Sequence, residues 1–322
     1  ITIQMEDLIP AVTLEDLKKT YFADTLASYD SPHTANAART KNLELACKAI
    51  NGTVLNPGDE FSFNKIVGER TKEKGYQAAI VYTDGGKSEA QEGGGICQVA
   101  STIYTCTLLA DLEVTERSPH MYLVTYVEPG MDATIYWPSL DFKFKNSTDM
   151  PLRIDASVSG GYVHIKLVGT KQEHDYDHIK LRGVYASSTA WKTVAEIDGK
   201  KVEITIAKGA GVDANGNAID LAVDANGNKY VLGSIIEGEY TGYTINAYRD
   251  FIAADGSTIR SELLHTDQFK HRDRCYSVTP YVEPEPDVPE EPDPDDPNYD
   301  PDYDPTVDPG DDGDDNHYTG DP

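Results

Sequence analysis

Gly93-Gly94-Gly95-Ile96-Cys97-Gln98-Val99-Ala100-Ser101-Thr102 is the stretch from which the rest of the chain is best read. Three glycines let the backbone turn sharply and let a neighbouring segment come close. Beyond them, Val99, Ile103, Cys106 and Ala110 share one face at helical spacing, which predicts a helix over about 97–110. Cys97 then stands in the first turn, where orphan N–H groups and the helix dipole favour a thiolate. A thiolate so placed suits nucleophilic catalysis, and the adjacent N–H groups suit an oxyanion. The plainer reading is a buried thiol behind a flexible loop. Cys106 lies nine residues further on. At 1.5 Å per residue that is roughly 13 Å along the axis, too far for a disulfide.

A cysteine nucleophile needs a base and a group to orient it. Among eight histidines, His120 is the one well placed near the Cys helix, in Arg117-Ser118-Pro119-His120. Pro119 turns the chain toward an extended segment. Asp132, after Pro129-Gly130-Met131, is the candidate to hold the imidazole; an Asx turn is its bland alternative. Arg70 and Arg117 are candidates to receive a substrate carboxylate in bidentate fashion, or surface ion pairs. Gly94, Gly95, Gln98 and Ser101, which surround the thiol in sequence, complete the expected substrate contacts.

Before this stretch, Leu43, Ala46, Cys47 and Ile50 form an apolar stripe on a helix over 36–50, capped by Thr34 or Asn36 and ended by Gly52. Short strands are expected at Phe61–Asn64 and Ala78–Tyr82. After it come extended pieces at Met121–Val127, Ala133–Trp137 and Asp141–Lys145. The alternation of Leu152, Ile154, Ala156 and Val158, a Ser159-Gly160-Gly161 turn, and Val163, Ile165 and Leu167 then spell a hairpin. Two more hairpins are signalled by Asp198-Gly199 and Asp255-Gly256. The near-repeats Asp213-Ala214-Asn215-Gly216-Asn217 and Asp224-Ala225-Asn226-Gly227-Asn228 have calcium-loop spacing, but no Glu stands at the twelfth position. Tight turns explain them better. No metal or cofactor is expected.

The 322-residue chain carries a formal net charge of −27. Residues 281–322 contribute 17 acidic residues, no Lys or Arg, and 10 of the 18 prolines. The first 280 residues hold 38 acidic and 28 basic residues, a net of −10. Neither part offers the basic footprint that nucleic acid requires, nor a charge that docks on anionic lipid. No window resembles a membrane span. The four cysteines fit no zinc-ribbon spacing, and whether Cys47 and Cys275 pair is open.

Several ordered blocks resemble the VanW domain. They run from Asn51-Gly52-Thr53-Val54-Leu55-Asn56-Pro57-Gly58-Asp59 and Val67-Gly68-Glu69-Arg70-Thr71, through Gly93–Thr102 and Glu116-Arg117-Ser118-Pro119-His120, to Pro129-Gly130-Met131-Asp132-Ala133-Thr134 and Leu140–Asn146. Residues 237–279 weakly resemble the G5-like β segment that often follows. The resemblance implies an exported or membrane-anchored wall protein of Gram-positive type, named for vancomycin-resistance clusters. It also implies cysteine-dependent L,D-transpeptidation of peptidoglycan stem peptides, with Cys97 as nucleophile; the roles of His120 and Asp132 rest on position. The alternatives are a non-catalytic wall-binding module and a cysteine peptidase or amidase, in which water and not an amine accepts the acyl group. Any signal or anchor is expected outside this fragment, which places the protein on the extracellular side. The fold expected is α+β. A mixed-sheet domain with the Cys-bearing helix would span 35–170, preceded by a linker over 1–34. A mainly β domain would follow over 171–280, and a disordered acidic tail over 281–322.

Overall fold

A computed structural model describes residues 21–82 and 88–284; the acidic tail beyond 284 lies outside them. Among the described residues the chain is mainly β with three α-helices. It divides into two compact units, one of residues 21–204 and 233–277, the other of residues 205–232 and 278–284.

In the first unit, β1 (Asp24–Pro32), β2 (Thr53–Leu55), β8 (Leu152–Ser159) and β9 (Tyr162–Gly169) form a four-stranded sheet. All its neighbours are antiparallel, in the order β1-β9-β8-β2. The hairpin read from the alternation is there: Leu152, Ile154, Val163, Ile165 and Leu167 are buried in the core, paired from Arg153↔Val168 to Ser159↔Tyr162. Strand β1 pairs along β9 from Asp24↔Gly169 to Pro32↔Tyr162. Residues 24–32 are therefore part of the sheet and not a linker. Their core-facing positions are few, Ala27 and Ser31 being the buried ones, so hydrophobic patterning does not announce them.

Helix α1 (Ala37–Ile50) packs on β8, and helix α3 (Cys97–Leu109) packs on β1 and β9. Asn36 caps α1 by accepting from the Arg39 N–H. The stripe Leu43, Ala46, Cys47, Ile50 is buried. Helix α3 is buried on nearly every side from Gln98 to Leu108, and its polar stripe of Gln98, Ser101, Thr102 and Thr105 is hydrogen-bonded inside the fold.

A smaller sheet closes one side of this core. It consists of β3 (Glu60–Ser62), β6 (Glu113–Glu116) and β7 (Lys143–Lys145), with β7 in the middle. The strand expected at Phe61–Asn64 ends at Ser62, and Phe63 opens the short helix α2 (Phe63–Val67). Ser62 caps α2 by accepting from the Lys65 N–H and donates to Asp141, a double role that breaks the strand. The piece expected over 141–145 becomes a strand only from Lys143, because the Asp141 carboxylate is engaged by Ser62 and the Asn64 N–H. Phe61 stacks on Phe144 at 5.0 Å, and Tyr104 meets Phe142 edge-on at 5.7 Å. Strands β4 (Ala78–Tyr82) and β5 (Ser88–Glu92) pair just before the glycine run.

Met121–Val127 is not a strand. Its backbone is held by turns and single contacts, including donation from the Lys270 N–H to the Met121 carbonyl, and no described strand pairs with it. Ala133–Trp137 is likewise irregular apart from one bridge, Tyr136↔Leu140.

Strands β10 (His178–Thr189), β15 (Gly242–Ile252) and β16 (Thr258–Phe269) form a third sheet in this unit. It meets the loop before Asp132 at very short range. A Cβ on Gly183 would lie 2.2 Å from the Pro129 carbonyl oxygen, and one on Gly130 (φ +81°) would lie 3.0 Å from Ala247 Cβ. Residues 178–204 and 233–277 share this compact unit with the part preceding Thr170. Also in this unit, β11 (Thr193–Ile197) pairs with the start of β12 (Lys200–Val212) across Asp198-Gly199, both at positive φ. It runs parallel to β17 (Arg274–Pro280) on its other edge.

In the second unit, β13 (Ala218–Asp224) pairs with β14 (Lys229–Glu237) from Leu221↔Val231 to Val223↔Lys229. The Asp213 and Asp224 carboxylates each accept from the backbone N–H groups two and four residues on, and from the Asn217 or Asn228 amide. Both repeats are closed Asx turns.

Phe61 is fully buried among aromatic rings. Phe61→Ala is expected to cost about 3–5 kcal/mol in denaturant unfolding; a loss below ~1 kcal/mol would show that the small sheet does not share the core.

Candidate active site

The glycine run is a clamp. Gly93 and Gly95 have φ of +75° and +100°. An added Cβ would lie 2.8 Å from Arg70 Cβ at Gly93, 2.2 Å from the Ala79 carbonyl oxygen at Gly94, and 2.8 Å from Arg39 Cγ at Gly95. Asn42 further ties the loop by donating to the Gly94 carbonyl at 3.0 Å. Helix α3 then begins at Cys97 itself, with no side-chain cap. The N–H groups of Gln98 and Val99 are taken by the Gly95 and Ile96 carbonyls. Of the oxyanion donors expected in the first turn, those two are committed to the loop, and the Cys97 N–H heads the helix.

Cys97, His120 and Asp132 come together. Asp132 is fully buried. Its Oδ2 accepts from the His120 backbone N–H at 2.7 Å and from Nδ1 at 2.6 Å. Two donors from one residue onto one oxygen fix the imidazole's position and its tautomer. Nε2 is then the nitrogen left for the Cys97 side, and His120 is the neighbour that most lowers the Cys97 thiol. The sulfur also lies 3.5 Å from the Ile135 carbonyl.

The electrostatics follow from this packing. Burial by itself would raise the Cys97 thiol; the neighbouring His120 and its positive charge, with the Ile135 carbonyl contact and Arg70, outweigh it and bring the thiol below its ordinary value. Burial would lower His120, but Asp132 and the Cys97 sulfur push it up to about 9. Burial likewise opposes the Asp132 charge, and His120 and Arg117 hold it below the usual carboxylate range. The packing thus biases the pair toward a thiolate facing an imidazolium, a nucleophile and an acid formed together.

The other expected contacts divide. Arg117 is not open to a substrate. Its Nη2 donates to Asp132 Oδ1 at 3.0 Å, its Nε to the Asp132 carbonyl at 2.6 Å, and its Nη1 to Asp267 Oδ1 at 2.8 Å. Gln98 is buried and structural: it accepts from Arg39 Nη2 and donates to Ser31 and the Pro32 carbonyl. Ser101 donates to the Cys97 carbonyl at 2.9 Å and accepts from the Ala133 N–H at 2.9 Å, binding the helix to the segment after Asp132. Gly94 and Gly95 shape the loop. Arg70 is different. Its Nη2 donates to Asn64 at 2.8 Å, while Nε and Nη1 are buried without a protein partner, on a side chain that feels the Cys97 charge.

Three participants have no signal in the sequence. Tyr126 places its hydroxyl 3.5 Å from His120 Nε2, from within a segment expected to be a plain strand. The Ile135 carbonyl is a backbone group. Asp267 lies 135 residues after Asp132 in the chain. Among the described residues no cluster of His, Cys, Asp and Glu is arranged to hold a metal ion, and all four cysteines are free thiols.

Iodoacetamide at pH 7 is expected to label Cys97 ahead of Cys47, whose thiol burial pushes up to about 12, and of the buried Cys106. In His120→Ala burial prevails at Cys97, and labelling should slow roughly tenfold or more. Intact-mass time courses measure both rates; equal rates in the two proteins would contradict the ion pair.

Comparison with known proteins agrees with the arrangement of motifs. The family model described as "VanW like protein" matches residues 38–168. "Uncharacterized protein YoaR" of Bacillus subtilis (strain 168) is 42% identical over 135 residues, covering 42% of this chain and 44% of that protein. "Vancomycin B-type resistance protein VanW" of Enterococcus faecalis (strain ATCC 700802 / V583) is 34% identical over 119 residues, covering 35% of this chain and 42% of that protein. The chain thus spans less than half the length of the curated relatives it matches. No solved structure is a significant match. Over residues 38–168 the chain is similar to VanW-like proteins.

Proposed function

We propose that this chain is a cysteine-dependent acyltransferase of the cell wall, an L,D-transpeptidase acting on peptidoglycan stem peptides from the outer side of the membrane. The observation that carries the reading is the Cys97–His120–Asp132 arrangement, in which Asp132 holds Nδ1 of His120 at 2.6 Å and Nε2 is left toward the sulfur. On this reading, residues 35–170 form an α+β catalytic domain.

The Cys97 thiolate attacks a carbonyl carbon of the donor stem, forming a C–S bond and an oxyanion. The Cys97 N–H and the unpartnered Arg70 N–H groups are the donors available to that charge. As the oxyanion collapses the C–N bond breaks, and His120 gives its proton to the leaving amino acid. The thioester is then attacked by a side-chain amine of a neighbouring stem. His120 takes the amine's proton, an amide forms, and the thiolate departs. The vancomycin-resistance name of one relative fits a wall substrate of this class. Arg70 is read as the group that meets a substrate oxygen, because a buried guanidinium with two idle donors needs an acceptor.

Cys97→Ala is expected to abolish both crosslinking of purified muropeptides and the acyl adduct seen by intact mass. Full crosslinking by that variant would overturn the reading. Arg70→Gln is expected to reduce kcat/KM by about 10–100-fold, with Arg70→Lys recovering only part because it lacks the planar fork. Unchanged steady-state kinetics in both would remove Arg70 from the site.

A further inference from the structure

Asp132 is the least replaceable part of the site, and its second oxygen belongs to Arg117. Arg117 is itself buried, its side chain 7% exposed, and one carboxylate is not its full complement. The second comes from Asp267 on β16, 2.8 Å from Nη1 and itself buried. Asp267 is flanked on its other side by His265, whose Nδ1 is at ion-pair distance, 3.2 Å, from Oδ2. His265 Nε2 meets the Tyr104 hydroxyl on α3 at 2.8 Å. Tyr104 in turn lies under the Arg117 guanidinium, 5.4 Å from ring centre to Cζ. The circuit therefore starts on the Cys-bearing helix, crosses to β16 and returns to Asp132. The same sheet braces the loop before Asp132 at Gly183 and Ala247.

We propose that Asp267, which lies outside the matched VanW-like region, is a positioning residue for the site: by anchoring Arg117 it fixes Asp132, and through it the His120 ring opposite Cys97. This rests on the acyltransferase reading only for its consequence in turnover; the geometric claim concerns His120. Neutralising Asp267 removes one negative charge from the circuit and leaves the Arg117 charge in place. A buried guanidinium deprived of one carboxylate draws on the other, because an unpaired charge inside the fold is costly. Asp132 is then shared more heavily with Arg117 and less with His120, so His120 becomes harder to protonate. The charged or titratable groups facing His120 are Asp132 and Cys97, with Tyr126 at its edge. Those facing Asp267 are Arg117, His265 and Tyr104.

The test compares wild type, Asp267→Asn and Asp250→Asn in the full chain. Asp250 is a buried carboxylate in the same sheet, paired with Arg182 and not with Arg117, so its loss reports general damage to the sheet. Two readouts are followed: the pH dependence of Cys97 alkylation, and the imidazole titration of His120 by NMR. In Asp267→Asn the titration, expected near pH 9 in wild type, should move to lower pH, with at least a threefold drop in kcat/KM for muropeptide crosslinking. In Asp250→Asn thermal stability should fall while the His120 titration stays in place. If Asp267→Asn does not fold, Asp267→Ser serves instead. It removes the same charge with a smaller side chain, and the same downward movement is expected. An unmoved His120 titration in the folded variant overturns the proposal. Loss of the acyltransferase reading would show separately, as crosslinking that survives Cys97→Ala, and would leave the titration result to stand by itself.

Discussion

A single buried carboxylate organises this protein. Asp132 has no exposed surface, and a charge removed from water is tolerable only if nearly every lone pair is matched. Its partners are the His120 ring and backbone on one oxygen and Arg117 on the other. Meeting that demand decides much else. The chain between His120 and Asp132 has to double back on itself, so it forms turns where a strand would carry it away. Pro129 and Gly130 have to bring it in at close range to β10 and β15. The His120 ring, held at Nδ1, is turned toward the first residue of α3. The lowered Cys97 thiol is a consequence of how a neighbouring charge is neutralised.

The parts of the fold dictated by local rules are legible in the sequence. The stripe of α1, the hairpin of β8 and β9 and the Asp-Gly turns follow from periodicity and from residues that accept positive φ. Cys97, His120 and Asp132 can be nominated from spacing and from the resemblance to a family. Periodicity misses the places where side chains and not ladders hold the backbone. Ser62 ends a strand because its hydroxyl is shared between the Lys65 N–H and the Asp141 carboxylate. Arg117 reads as a substrate-facing group because an exposed and a buried arginine look alike in sequence, and only the positions of Asp132 and Asp267 distinguish them. Strand β1 carries a short and mostly polar pattern, so its place beside β9 is set by the partner strand.

The glycine run shows how two constraints meet. Gly94 must lack a side chain because a carbonyl occupies that space, whereas Gly93 and Gly95 must lack one both for their φ and for the arginines that cover them. The arginines differ in what they do with that proximity. Arg39 satisfies Gln98 inside the fold, while Arg70 keeps two donors without a protein partner and acts on Cys97 through its charge. Loop shape and site electrostatics are thus set by the same three residues.

The thiols carry a last consequence. Cys47, Cys106 and Cys275 are buried and unpaired, and Cys97 alone combines partial exposure with a lowered thiol value. Peroxide therefore has one preferred target in this molecule, and the sulfenic acid formed there has no adjacent resolving cysteine to capture it as an internal disulfide. Recovery depends on a thiol supplied from outside, without which further oxidation at Cys97 is irreversible.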